Sequence, residues 1–362
     1  MAPPPAHATT QRQMRQPYAT PLLPAPAGEF RVHILAMGQA DAIVLELPSG
    51  RLAVVDFGHR FLLDYLALLD PGGSRRYACC VLTHTHHDHT ACLEAFLQRY
   101  DRWVDEYWFS FVDPGDRIGL LTLRAAMIRG HRGRLLVEDG MAPIRPRLLE
   151  PDVEIVAFAP PTEAVLRPPG SGGSTAENNR SIVLLVRYGR SVILLGGDAE
   201  EERWRQIARQ AQASRIGLGA CLIKPPHHGA TPPRGIPEQL WPMLLASPAT
   251  VVAFSVGRIK DRPHLRTIEA VRARATVRCT GRSLTCRPLP GLLSVPGTDA
   301  MSNVATSAER SADLFARALL PAPETQRGPL CFGTQIYQVR SDGTILLVRA
   351  RQPAFLDACV AS

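Results

Sequence analysis

The run VLTHTHHDHT, residues 81–90, places four histidines and an aspartate at positions 84–89. Imidazole nitrogens and carboxylate oxygens are the donors that borderline divalent ions such as zinc accept, provided several of them converge. Residues 78–82 are apolar and read as a strand, and alternation along the chain beyond them sends His84 and His86 to one side, where both can grip one ion. Asp88 and His89 follow as the chain turns into a helix, so the H-x-H-x-D-H spacing suits two adjacent cations better than one. His87 is left as a spacer, with Thr83 and Thr85 shaping the turn. A solvated loop is the alternative for any single histidine; four ligand types at one strand end are a far more specific signal.

Other elements must position that loop. Residues 30–58 read as two or three short strands with a turn at 47–50, followed by a helical stretch over 61–69, the strand at 78–82 and a helix from near Cys92. Residues 105–150 carry a basic patch at 129–134 and no motif. The Gly/Ser-rich stretch RPPGSGGSTAENN reads as a loop into paired strands SIVLLVRYG and RSVILLGGD. A charged helix over 199–212 precedes a strand, ACLIK, which stops at two prolines before His227, His228 and Gly229. The segments TVVAFSVG and ATVRCT flank a helical stretch near 267–273, and the tail CFGTQIYQVRSDGTILLVRA alternates as a hairpin about Asp342 and Gly343. The expected organisation is a Pro-rich leader (1–28), an α/β domain (29–288), a linker (289–327) and a C-terminal β-hairpin element (328–362).

At 362 residues, 45% hydrophobic and 20% charged, the chain has the composition of an ordinary globular protein able to bury a full core. It holds no apolar run of roughly 18 residues, so no membrane partner is expected. The leader lacks the apolar stretch of a secretory signal, which points to a cytoplasmic protein. Eight cysteines, two of them adjacent at Cys79 and Cys80, do not form a disulfide framework in so long a chain. The formal charge of +8 favours acidic partners such as nucleic acid, although it bears on association rather than on fold.

The H-x-H-x-D-H loop resembles the signature of the metallo-β-lactamase superfamily. The resemblance implies an α/β fold of αββα type, a four-layer sandwich with a dinuclear site between two sheets. It also implies a structural aspartate at the end of an early strand, matched by Asp56 in LAVVDFG. A later strand ends in an aspartate that bridges both metals, matched by Asp198 in VILLGGDAE, and KPPHHGA supplies the closing histidine as His227 or His228. Many members place a third imidazole on the first ion. Between His89 and His227 this chain offers only His131, in a basic stretch with no strand end, so the first ion is expected on His84, His86, Asp198 and water.

The chain further resembles the ComEC-type branch over residues 30–280. That branch's opening L-D-V-G-Q-G-D is matched by Leu35 to Asp41, its N-N-x-S hairpin by Asn178, Asn179 and Ser181, and its K-x-x-H-H-G-S by Lys224 to Ala230. Its S-V-G and H-P-H segments are matched by Ser255 to Gly257 and by Pro263 and His264, with Arg262 in place of the first histidine. Departures are Ala36, Ala40, Ala91 and Cys92, the last three standing where the branch has glycine.

The resemblance implies phosphodiester cleavage, of DNA or of RNA, by hydroxide activated on two divalent ions, zinc or else manganese. Asp88 then acts at the reacting centre, Asp56 orients ligands, and His264 and Lys224 are candidates for phosphate contact. A charged strand end reaching solvent is the alternative for Lys224, as a turn is for Asn178 and Asn179, which otherwise touch substrate. Basic residues at 129–134 and 258–278 would track a phosphate backbone. A small-molecule ester, lactone or choline-phosphate ester hydrolase is a second reading, and a non-catalytic metal-containing binding module a third. Cys279, Cys286, Cys331 and Cys359 are candidates for a structural zinc, with separate thiols as the alternative.

Overall fold

Strands β1 (Phe30–Ile34), β2 (Ile43–Glu46), β3 (Leu52–Val55) and β4 (Tyr77–Val81) are buried at nearly every position, so both of their faces must be covered. The computed structural model describes residues 24–348 except 39, 111–121, 126–132, 136–145, 163, 165–172, 246–249, 256–261 and 281–333. These four strands form the middle of an eight-stranded sheet with β5 (Tyr107–Phe109), β6 (Gly133–Leu135), β14 (Gln335–Val339) and β15 (Ile345–Val348), ordered β15-β14-β1-β2-β3-β4-β5-β6.

A second sheet runs β13-β12-β11-β10-β9-β8-β7, built from β7 (Arg147–Glu150), β8 (Val153–Phe158), β9 (Val183–Tyr188), β10 (Ser191–Leu195), β11 (Leu222–Lys224), β12 (Val251–Phe254) and β13 (Thr276–Cys279). Each sheet changes from antiparallel to parallel pairing partway across, at β3 to β4 in the first and β10 to β11 in the second.

Strand alternation sorts the apolar residues into three layers. Along β3, Leu52 and Val54 face helices α1 (Phe61–Leu69) and α3 (Leu93–Tyr100), meeting Leu62, Leu66 and Phe96, while Ala53 and Val55 face the second sheet. Between the sheets, Val32, Leu45 and Val81 pack with Ile155, Leu184 and Ile193. On the far side, Val183, Leu185 and Ile223 meet Trp204 and Ile207 of α5 (Glu201–Ala213), Leu244 of α6 (Trp241–Leu244) and Val271 of α7 (Leu265–Arg272). Burying one such side chain contributes about 1.5–3 kcal/mol, so the four layers are held mainly by these three contacts. The αββα sandwich implied by the sequence resemblance is the architecture observed.

One stretch differs from its expectation. Part of the Gly/Ser-rich loop forms a short helix, α4 (Gly173–Asn178), whose last turn is anchored from outside: Thr85 Oγ1 donates to Glu177 Oε2 at 2.8 Å and Asn178 Nδ2 to Glu200 Oε1 at 2.8 Å. Tertiary hydrogen bonds outweigh a composition poor in helix formers. The tail hairpin β14–β15 extends the first sheet through β1, and it also touches the second, where Arg190 N donates to Ser341 O and Ser191 Oγ to Arg340 O. Among the described residues, no helix is long and apolar enough to cross a membrane. The leader before residue 24, the linker, His131, Cys286, Cys331 and Cys359 lie outside the described residues; Cys279 is buried.

Candidate metal centre

The strand ends of both sheets converge on one place. Asp56 follows β3, the run 83–90 follows β4 and includes helix α2 (His87–Thr90), Asp198 follows β10, His227 and His228 follow β11, and Ser255 follows β12. Crevices beyond the carboxyl ends of strands are where open α/β sheets place ligands. Asp41 joins them from the β1–β2 connection. Gly58 makes that approach possible: a Cβ there would sit 2.0 Å from Asp88 O and 2.7 Å from the Asp41 backbone, while Gly58 N donates to Asp41 O and Asp41 N to Asp88 O.

Two groups of ligand atoms result. His84, His86 and Asp198 form one, and Asp41, His89, Asp198 and His228 the other; within each, one donor atom per residue lies within 4.8 Å of the rest. In the first, His84 Nε2 and His86 Nδ1 face each other at 3.1 Å. Asp198 belongs to both groups. Its Oδ1 is 3.4 Å from His89 Nε2 and its Oδ2 is 3.8 Å from His227 Nε2.

Hydrogen bonds fix which nitrogen of each ring is free. Thr83 Oγ1 donates to Asp56 at 2.8–2.9 Å, so it accepts from His84 Nδ1 at 3.1 Å. His89 Nδ1 donates directly to Asp56 Oδ2 at 2.7 Å. Ser255 Oγ donates to Asp41 Oδ1 at 2.6 Å and accepts from His228 Nδ1 at 3.0 Å, and His227 Nδ1 donates to Arg234 O at 3.2 Å. Each of these four rings therefore presents Nε2 as a lone pair, the tautomer a metal ligand needs.

His89 Nε2 and His228 Nε2 are buried and make no hydrogen bond among the described residues. Buried nitrogens left without a hydrogen-bond partner beside a carboxylate are costly unless a cation completes them, so the donor set fits divalent ions. Backbone strain is concentrated here too: Asp56, His227 and His228 are three of the four described non-glycine residues with positive φ.

Electrostatics favour the neutral ring at His84, His227 and His228, whereas His89 without an ion holds a proton that a bound cation would displace. Burial drives the His84 imidazolium well below its ordinary range, and His89 nearby adds to this. Burial would also lower His89, but Asp198 and Asp56 hold it well above the usual imidazole range. Burial raises Asp198, yet His89, His228 and His84 outweigh that and keep it well below the usual carboxylate range. Burial takes Asp56 above its ordinary range against the pull of His89, and takes His227 down to about 4.

Lys224 requires a correction. Its side chain is 1% exposed and its Nζ is paired with Asp41 Oδ2, so it is not a charged strand end reaching solvent. Burial would raise the Asp41 carboxyl, and Lys224 followed by His228 brings it below its ordinary range instead. Asn178 and Asn179 turn to Glu200, the residue capping α5: Asn178 donates to its carboxylate and Asn179 Oδ1 accepts from its N–H at 3.2 Å. His264 is exposed at the start of α7, tied by its backbone N–H to Gly229 O at 3.0 Å. Asp88 has a 41% exposed side chain with Oδ2 4.0 Å from His228 Nε2, at the mouth of the centre, and His87 is exposed.

Four participants were not read from the sequence as site residues: Asp41, Ser255, the Arg234 carbonyl and Arg262. Arg262 is half-buried and its Nη1 lies 3.4 Å from His227 O; burial lowers the guanidinium, opposed chiefly by Asp198. The one available signal was that Asp41, Ser255 and Arg262 fall in or beside segments quoted for the ComEC-type resemblance.

Fold and site together define an αββα protein with a candidate two-ion centre between its sheets. No known family profile matches the chain, and no curated protein matches it. Several solved structures are similar in fold. The metallo-β-lactamase fold protein YhfI from Bacillus subtilis is 10% identical, with 69% of this chain and 96% of that one covered and a TM-score of 0.43. Human tRNase Z, short form, is 16% identical, with 68% and 95% covered and a TM-score of 0.41. A Parabacteroides distasonis protein named as a metal-dependent hydrolase is 12% identical, with 69% and 92% covered and a TM-score of 0.39. At such scores these likenesses carry no further argument, and architecture and site stand on the chain's own geometry.

Proposed function

We propose that the protein is a metal-dependent hydrolase that cleaves phosphodiesters, in DNA or RNA, with two divalent ions. The observation that carries this reading is the convergence of imidazole Nε2 atoms on both sides of Asp198, each with its Nδ1 tied to a protein acceptor. Nitrogen and carboxylate donors of this kind suit zinc first and manganese second. Ions held there lower the pKa of water towards neutrality and neutralise charge on the attacked group.

The chain's own residues supply the rest. Asp56 holds His84 through Thr83 and holds His89 directly, so one carboxylate sets two rings. Asp41 sets His228 through Ser255 and is kept ionised by Lys224. Contact with an anionic substrate falls to Arg262, a cation beside His227 with Asp198 and Asp88 in its field. The resemblance of the motifs to the ComEC-type branch and the formal charge of +8 support a nucleic-acid substrate over a small ester. A cytoplasmic setting belongs to the same proposal and draws on the spacing of the eight cysteines, which does not resemble a disulfide framework.

The test is a cleavage panel of DNA, RNA, a chromogenic phosphodiester, a lactone and a β-lactam, with zinc or manganese supplied and His84→Ala run alongside. Phosphodiester turnover that disappears in His84→Ala supports the reading. Turnover of the lactone or another small ester alone replaces it with a small-molecule hydrolase, and inertness on all substrates with metal bound leaves a binding module.

A further inference from the structure

The first ion lacks an obvious third imidazole. In sequence between His89 and His227 only His131 is available, and it lies outside the described residues. The pair His227 and His228 offers an answer. Both residues adopt the left-handed backbone, with φ of 49° and 56°, a conformation that costs a side-chain-bearing residue about 1–2 kcal/mol. Two such residues in succession are maintained only where the surroundings over-determine them. The consequence is divergence: the two ring centroids are 6.5 Å apart and the planes are inclined by 59°.

We propose that the two neighbours are divided between the ions, His228 serving the His89 side and His227 completing the His84 and His86 side. The proposal rests on the two-ion reading above and goes beyond it by assigning both histidines. Asp198 shows the same division, because Oδ1 faces His89 Nε2 at 3.4 Å while Oδ2 faces His227 Nε2 at 3.8 Å. His228 is grouped, by one ligand atom each, with Asp41, His89 and Asp198, and its Nε2 is the buried nitrogen without a hydrogen-bond partner; His227 meets Asp198 but is in neither group. Each ring has its own support for the required tautomer, Ser255 for His228 and the Arg234 carbonyl for His227.

The second support depends on a tight loop. A Cβ at Gly235 would stand 1.8 Å from Ala230 O, so only glycine lets the chain close there and bring Arg234 O back to His227. The competing role for His227 is structural, a ring parked between Arg234 O and Glu200, whose Oε1 is 3.8 Å from Nδ1.

The experiment is a calorimetric titration of metal-stripped full-length protein with zinc, resolving two binding steps. His86→Ala marks the first step and His89→Ala the second. Asparagine tolerates left-handed backbone, so His227→Asn and His228→Asn remove the imidazoles with the least disturbance. His227→Asn is expected to weaken the step marked by His86→Ala by about tenfold or more and to leave the other within about threefold, with His228→Asn giving the reverse. Gly235→Ala keeps every imidazole and is expected to weaken the same step as His227→Asn, which serves if the latter does not fold. The division is overturned if His227→Asn leaves both steps unchanged, weakens both equally, or weakens the step marked by His89→Ala. Wild-type protein that binds two ions while His227→Asn matches it overturns the division alone. Wild-type protein that binds fewer than two overturns the two-ion reading with it.

Discussion

The run after β4 delivers its ligands in one stroke, and the rest of the centre is assembled piece by piece. After β4, His84, His86 and His89 sit within six residues, and Asp56, at the end of the neighbouring strand β3, orients His84 through Thr83 and His89 directly. On the other side, Asp198 follows β10, His228 follows β11, and the hydroxyl and carboxylate that orient His228 come from Ser255 and Asp41, 214 residues apart. The contiguous half depends on local chain geometry. The assembled half depends on the whole sandwich being closed, with a buried ion pair, Lys224 to Asp41, at its root.

Asp198 is where the halves meet, so its loss is expected to do most damage. Asp198→Asn should abolish both zinc-binding steps and reduce hydrolysis on the order of 10³-fold or more, since metal catalysis supplies several kcal/mol at about 1.4 kcal/mol per decade; loss of a single ion would show that the halves are independent. Next comes the root of the assembled half. Lys224→Met strands a buried carboxylate and should lower unfolding stability by about 3–5 kcal/mol in a urea titration. An equal loss in Asp41→Ala and in the double variant would confirm the pair as one unit.

The first sheet carries a buried cluster of its own, away from the metal ligands. Burial would raise the Glu46 carboxyl, but His33 at 3.2 Å and Arg75 at 2.7 Å hold it at about 2. Its folded value is depressed from 4.5, so its contribution is fully present above that pH and is lost as the pH falls towards about 2. That loss amounts to about 3 kcal/mol, and Glu46→Gln should flatten the acid limb of a stability-versus-pH curve.

The hydroxyl relays give a smaller, paired test. Thr83→Val and Ser255→Ala should each weaken zinc binding about 10–100-fold, the first through His84 and the second through His228. Effects on the same calorimetric step would erase the distinction between the halves. The smallest effect is expected from His87→Ala on the exposed spacer, within about 0.5 kcal/mol in stability and with both zinc steps intact.

This contrast also sets what can be read from the chain before folding. The run 84–89 is legible because its ligands are neighbours in sequence and a strand fixes their sides. Lys224 was open to a solvent-facing reading because its partner, Asp41, lies 183 residues earlier, and nothing local reveals the burial of either. Ser255 is hidden for the same reason. The three core layers follow from alternation in strands such as LAVV, whereas α4 owes its helix to hydrogen bonds received from Thr85 and given to Glu200 that no local propensity contains.

The placement of β14 has a consequence for how the molecule is made. Strand β1 begins at Phe30, yet its outer neighbour is residues 335–339, and Ala36 N in the connection leading to Asp41 donates to Thr334 Oγ1 at 3.2 Å. During synthesis β1, the first of the described strands, must wait for β14, the last but one of them. Until then β1 presents an unpaired row of N–H and C=O groups, the surface on which another chain can add a strand. A nascent or truncated chain that stops before residue 334 would therefore expose that edge beside the loop that carries Asp41, linking self-association of incomplete chains to loss of the assembled half of the centre.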